Sequence, residues 1–118
     1  MRLKMQKIGY SSSPIAYEHE GIRLEGGVKR ISSNLFLLEG HLQGRIQVEC
    51  ARSAKPFFKE ILQDLKVFIC DGIFDPKEGN EAGIDALDVI ESFDGMIDIA
   101  DVLYSEVQSI QADYHYLD

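Results

Sequence analysis

Between residues 42 and 53 the chain reads L-Q-G-R-I-Q-V-E-C-A-R-S, an unbroken alternation of apolar and polar positions. Leu42, Gly44, Ile46, Val48 and Cys50 fall on one side, and Gln43, Arg45, Gln47, Glu49 and Ala51 on the other. That is the pattern of a strand with one buried face. The phase extends back through Phe36, Leu38 and Gly40, so one long strand over 35–50, kinked at Gly40 and Gly44, is predicted as the spine of a sheet. Ser32-Ser33-Asn34 precedes it as a hairpin turn. A further strand is predicted over 21–31, where Gly26-Gly27 suggests a bulge or sharp bend.

Elsewhere the pattern is weaker. Leu3, Met5 and Ile8 alternate enough for an edge strand over 2–8, and Ser11-Ser12-Ser13-Pro14 reads as a turn or loop. Over 56–65, Phe57, Phe58, Ile61, Leu62 and Leu65 fit a helical stripe, whereas Leu65, Val67 and Ile69 fit a strand face; periodicity alone favours the helix. Asp71-Gly72 is a turn, followed by an acidic, glycine-bearing loop over 75–83. Leu87, Val89 and Ile90 mark a short strand ending near Phe93, closed by Asp94-Gly95. Asp98 is then a helix N-cap with Asp101 in the first turn, and Ile99, Val102, Leu103, Val107 and Ile110 recur at helical spacing to about Ala112. Together these elements predict a single α+β domain over 1–118, in which a mostly antiparallel, strongly bent sheet is covered by a C-terminal amphipathic helix.

Composition narrows the class. A chain of 118 residues, 45% hydrophobic and 27% charged, has the make-up of an ordinary globular domain and needs no staple to build a core. No apolar run approaches the ~20 residues of a membrane span, and the N-terminus has no apolar h-region, so a cytoplasmic protein is expected. The net charge of −8 hides a split: residues 1–60 carry ten Lys/Arg against six Asp/Glu, residues 61–118 two against fourteen. At pI ≈ 4.8 a general nucleic-acid-binding surface is excluded, so any RNA contact has to be local.

Catalytic chemistry finds no constellation. Alternation puts Cys50 on the apolar face, where a thiol is inert; Ser53 lacks a nucleophile-elbow context, and His19, His41 and His115 are scattered. Glu25-Gly26-Gly27 has neither the spacing nor the Lys-Ser/Thr of a phosphate loop. Asp71, Asp75, Glu78, Glu81 and Asp85 fail the calcium-loop spacing, and Cys50 beside Ser53 cannot close a zinc site. The reading is therefore not an enzyme, with no metal and no cofactor. If the chain returns at once after Cys50, Cys70 lies about 40 Å up the returning strand, against the about 7 Å that a disulfide spans. Around the corner Arg45, Arg52, Lys55 and Lys59 lie close in sequence. They either contact phosphate or bridge internally to Glu49, Glu60 or the acidic second half.

The stretch from 44 to 57, G-R-I-Q-V-E-C-A-R-S-A-K-P-F, resembles the YceD family of bacterial proteins, linked to accumulation of the large-subunit ribosomal RNA. In that family a G-x-h-x-h-x-C strand, with h for apolar, runs into Cys-Asp-Arg-Cys-Leu-x-x-Phe, which matches Gly44, Cys50, Arg52 and Phe57. Met96-Ile97-Asp98-Ile99 resembles the family's acidic-apolar entry to the final helix. Ser53 stands in place of the second motif cysteine, and the cysteine-rich tail of some members is missing. The resemblance covers roughly residues 20–112 and implies a returning antiparallel strand, which we adopt over 57–70. It also implies a non-enzymatic factor acting on ribosomal RNA or a pre-ribosomal particle. The basic corner would then touch RNA, and the acidic half would face a basic ribosomal protein or solvent. A small acidic protein-interaction adaptor without RNA contact is the alternative.

Overall fold

The computed structural model describes residues 1–75, 77, 89–113 and 115. In chain order they form β1 (Arg2–Lys4), a 3-10 turn (Met5–Lys7), β2 (Ser13–His19), β3 (Ile22–Ser32), β4 (Leu35–Glu49), β5 (Pro56–Asp71), β6 (Val89–Ser92), β7 (Met96–Asp98) and α1 (Ile99–Ala112). The fold is α+β, dominated by strands. An open five-stranded sheet has the order β2-β3-β4-β5-β6, and β1 pairs with β7 in a separate two-stranded sheet.

The β4–β5 hairpin is the spine. Its ladder runs without a slip from Leu35↔Cys70 to Glu49↔Pro56, and its length accounts for the 48 Å long axis of the molecule. The predicted phase holds along β4: Phe36, Leu38, Leu42, Ile46 and Val48 are buried while Glu39, His41, Gln43, Arg45 and Gln47 are exposed. On β5 the strand reading prevails over the helical stripe. Ile61, Leu65 and Ile69 are buried on one face, and Phe58 and Leu62, which a helix would have buried with them, are exposed on the other. Cys50 and Cys70 are both buried, one beyond the last β4–β5 pair and the other opposite Leu35, so no disulfide joins them.

Three local readings are corrected. Ser13 and Pro14 are not a loop but open β2, which lies at the sheet edge, where a residue lacking an N–H is tolerated. Only Arg2–Lys4 of the predicted 2–8 strand pairs in a sheet; the 3-10 turn that follows swings Met5 into the core. The pair Gly26-Gly27 makes no bulge, since the register runs through it and slips instead between Arg30 and Ser32. Gly26 faces Gly40 so closely that a Cβ on Gly26 would stand 2.6 Å from the Gly40 Cα, so these glycines serve backbone approach.

β6 adds to the sheet in parallel with β5, through Phe68↔Val89 to Asp71↔Ser92. Leu87 and all of the acidic loop except Asp75 and Lys77 lie outside the described residues. The α1 cap is as predicted: Asp98 Oδ1 accepts from the backbone N–H of Ala100 at 3.0 Å and of Asp101 at 3.3 Å. Ile99, Val102 and Leu103 are buried in the main core, and Val107 and Ile110 pack against it half-buried. Gln63 donates to Glu106 at 3.0 Å, and Gln111 donates to the Gln47 carbonyl at 2.9 Å. The helix therefore runs from the base of the hairpin toward its tip. Among the described residues, no helix is long and apolar enough to cross a membrane.

Candidate interaction surfaces

The corner singled out in the sequence is the tip of the spine hairpin. Its turn is closed by backbone bonds from Cys50 N–H to the Lys55 carbonyl at 2.9 Å and from Ala54 N–H to the Cys50 carbonyl at 2.8 Å, with Ala54 at φ 58°. Residues 51–55 include the exposed Arg52 and Lys55 and no carboxylate; Glu49 stands at the end of β4 below them. Arg52 makes an interaction within the chain.

The four predicted cations do not form one patch. Arg52 and Lys55 share the tip. Arg45 lies on the outer face of the sheet opposite Glu60, with its Nη2 3.3 Å from the Glu60 Oε1. Both side chains are exposed, so that pair contributes only about 0 to 1 kcal/mol. Lys59 follows the alternation of Phe57 and Ile61 to the other face, and its Nζ lies 3.0 Å from His115 Nδ1. A lysine ammonium can only donate, so Nδ1 accepts, and the proton of a neutral ring sits on Nε2, aimed at the Ile110 carbonyl.

His115 is the residue that sequence reasoning missed. It is 5% exposed, and its carbonyl accepts from Ala51 N–H at 2.7 Å, which ties the segment beyond α1 to the hairpin tip. Nothing in the sequence signals this, because the contact joins positions far apart with no shared pattern. Of the structural motif residues, Cys50 and Phe57 flank the tip, whereas Gly44 and Asp98 lie away from it. Cys50 is buried, Phe57 packs half-buried against the core, and Asp98 caps the helix that leads to His115. Gly44 has φ 150°, and a Cβ there would lie 2.1 Å from the Gly21 carbonyl oxygen.

The outer face of the sheet is a carpet of mixed charge. Arg23 bridges Glu25 at 2.6 Å and Glu18 at 3.7 Å, and His41 approaches Glu25 at 3.8 Å. Among the described residues no group of three or more His, Cys, Asp or Glu is placed to hold a metal ion.

A second surface lies in the acidic half. Between β6, β7 and the first turns of α1 is a cavity of about 530 Å³, with Ile69, Ile97 and Val102 in its floor and Asp94, Asp98 and Asp101 around it. Arg2 bridges Asp94 and lies 3.9 Å from Asp98. Asp94 is held below the ordinary carboxylate range by the Met96 backbone N–H first, then by the Ser92 hydroxyl and the Arg2 charge. No family model matches this chain, and no curated protein or solved structure matches it significantly.

Proposed function

We propose that this protein is a non-enzymatic, cytoplasmic factor of the YceD kind that supports accumulation of large-subunit ribosomal RNA during ribosome assembly. The observation that carries this reading is the hairpin tip, a projecting turn with Arg52 and Lys55 exposed and no acidic residue between them. On an otherwise acidic protein it offers a local phosphate contact of the kind such a factor needs. Arg45 and Lys59, engaged by Glu60 and His115, belong to the support of the tip. The same reading takes the sheet as bent at Gly40 and Gly44 with α1 as its cover, which the burial of Ile99, Val102 and Leu103 supports.

Binding of ribosomal RNA fragments across salt concentrations tests the proposal. Each neutralised phosphate releases counterions, so affinity should fall steeply with salt, and replacing Arg52 and Lys55 with Gln should flatten the slope by roughly one to two units without unfolding the protein. Absence of RNA affinity at low salt would overturn direct recognition. A second reading, a protein-interaction adaptor, is favoured by the open acidic cavity beside α1.

A further inference from the structure

We infer that the cleft between β6 and α1 is a docking site for a basic amphipathic segment of a partner protein. Ile90 is the residue that reveals it. Ile90 is the ladder partner of Ile69, which is 2% exposed, and both line the same cavity; Ile90 nevertheless stays 41% exposed. A position on the core side of a sheet is open here: α1 packs mainly against β4 and β1, and the cavity lies between it and β6. The result is an apolar patch at Ile90 without a roof among the described residues, flanked by the exposed ring of Phe93.

The charge around that patch specifies the occupant. Asp94, Asp98 and Asp101 stand against the single guanidinium of Arg2, while Glu91 alternates to the other face of β6 and accepts from Phe74 N–H at 2.7 Å. The N-terminal end of α1 adds roughly half a positive charge, so a clear negative excess remains. The segment that fits therefore carries apolar side chains to cover Ile90 and Phe93, and Lys or Arg beside them to meet Asp101. Phe93 offers an arginine a face to stack on. Among the described residues β6 ends the sheet and has β5 on one side only, so an edge strand lies alongside. This inference rests on the reading of the acidic half as partner-facing and is independent of RNA contact at the tip.

The test uses the full chain and two labelled synthetic peptides of equal charge, one alternating arginine with leucine, the other arginine with glycine, followed by fluorescence anisotropy and amide chemical shifts. The leucine peptide should bind and shift Ile90, Phe93, Met96 and Val102, and the glycine peptide should bind about tenfold more weakly or less. Ile90→Asp and Asp101→Lys should each lower affinity by about tenfold, and both sites are exposed enough for the variants to fold, which melting curves check. The milder Ser105→Arg, at an exposed position on the cleft wall, serves if either does not. Equal binding of the two peptides, or shifts spread over the acidic surface, would overturn the inference. So would sedimentation showing that a second copy of this chain fills the cleft. The Arg52→Gln, Lys55→Gln variant should keep full peptide affinity, so a loss of RNA binding there and a loss of peptide binding here are separate failures.

Discussion

The centre of the sheet and its β6 edge face the same side of the molecule and have opposite fates. Along β4, Phe36, Leu38 and Leu42 are completely buried, in one cluster with Ile99, Val102 and Leu103 of α1, Ile97 of β7 and Met5 of the N-terminal turn. At β6, Ile90 occupies the matching side and remains open. The reason is geometric. A helix is about 10 to 12 Å wide with its side chains, whereas five strands at about 4.8 Å spacing span nearly twice that. One helix spans only part of that width. The chain recruits β1, the 3-10 turn and β7 to cover the centre, and among the described residues none is left for the edge.

The largest expected effect tests the sealed side. Leu103→Ala should destabilise by about 2 to 5 kcal/mol, because its side chain is 3% exposed within the main core. Ile90→Ala should cost about 1 kcal/mol or less, being partly solvated already. Urea melts of the two variants measure the contrast directly. If Ile90→Ala proves as damaging as Leu103→Ala, the edge is not open in solution, and the contrast between the two regions collapses.

Next in size is Gly44→Ala, in the central pair of strands. At φ 150° an L side chain is strained, and its Cβ would overlap the Gly21 carbonyl oxygen at 2.1 Å. A loss of about 1 to 3 kcal/mol is expected, with the spectrum of the β6 edge unchanged. Shifts reaching Ile90 would show that centre and edge respond as one unit.

These particulars show what the sequence could carry. The β4 strand was legible because one face of a half-buried strand is written directly as period-two alternation, and the α1 stripe and its Asp98 cap were legible because both signals are local. β2 was hidden by Ser13-Pro14, a pair that reads as a turn unless one knows that the strand lies at an edge. The Phe57–Leu65 ambiguity could not be decided by periodicity, because the exposed Phe58 and Leu62 supply a false helical stripe. At the tip, proximity in sequence suggested four cations acting together. Alternation sends Arg45 and Lys59 to opposite faces, and the latter meets a histidine whose arrival depends on the full length of α1. The cleft was illegible for the same reason: it is set by how α1 lies relative to β6.

A smaller effect is expected at the wall the two regions share. Asp98→Ala removes the side-chain cap from the first turn of α1, which both seals the centre and borders the cleft, and should cost about 0.5 to 2 kcal/mol. Asp98→Ser should restore most of it, since a hydroxyl can accept the same backbone bonds. Failure of the serine variant to rescue would mean that the Arg2 ion pair, and not the cap, is what Asp98 contributes.

The smallest effect belongs to the cleft rim. Asp94 accepts from Met96 N–H and Ser92 Oγ, each at 3.0 Å, and is bridged by Arg2, so its carboxyl titrates below the ordinary value of 3.8. A group whose folded value is depressed adds stability that is fully present above its unfolded value and lost as pH falls through the folded one. Asp94→Asn should therefore be slightly less stable than the natural chain at neutral pH, and the gap should close in acid below the carboxylate range. The side chain is exposed and screened, so the difference should be small. A carboxyl titration followed by NMR, set beside urea melts at both pH values, checks it. A midpoint for Asp94 at or above the ordinary range would mean that the turn between β6 and β7 is not held in this form, and with it the rim that gives the cleft its negative charge.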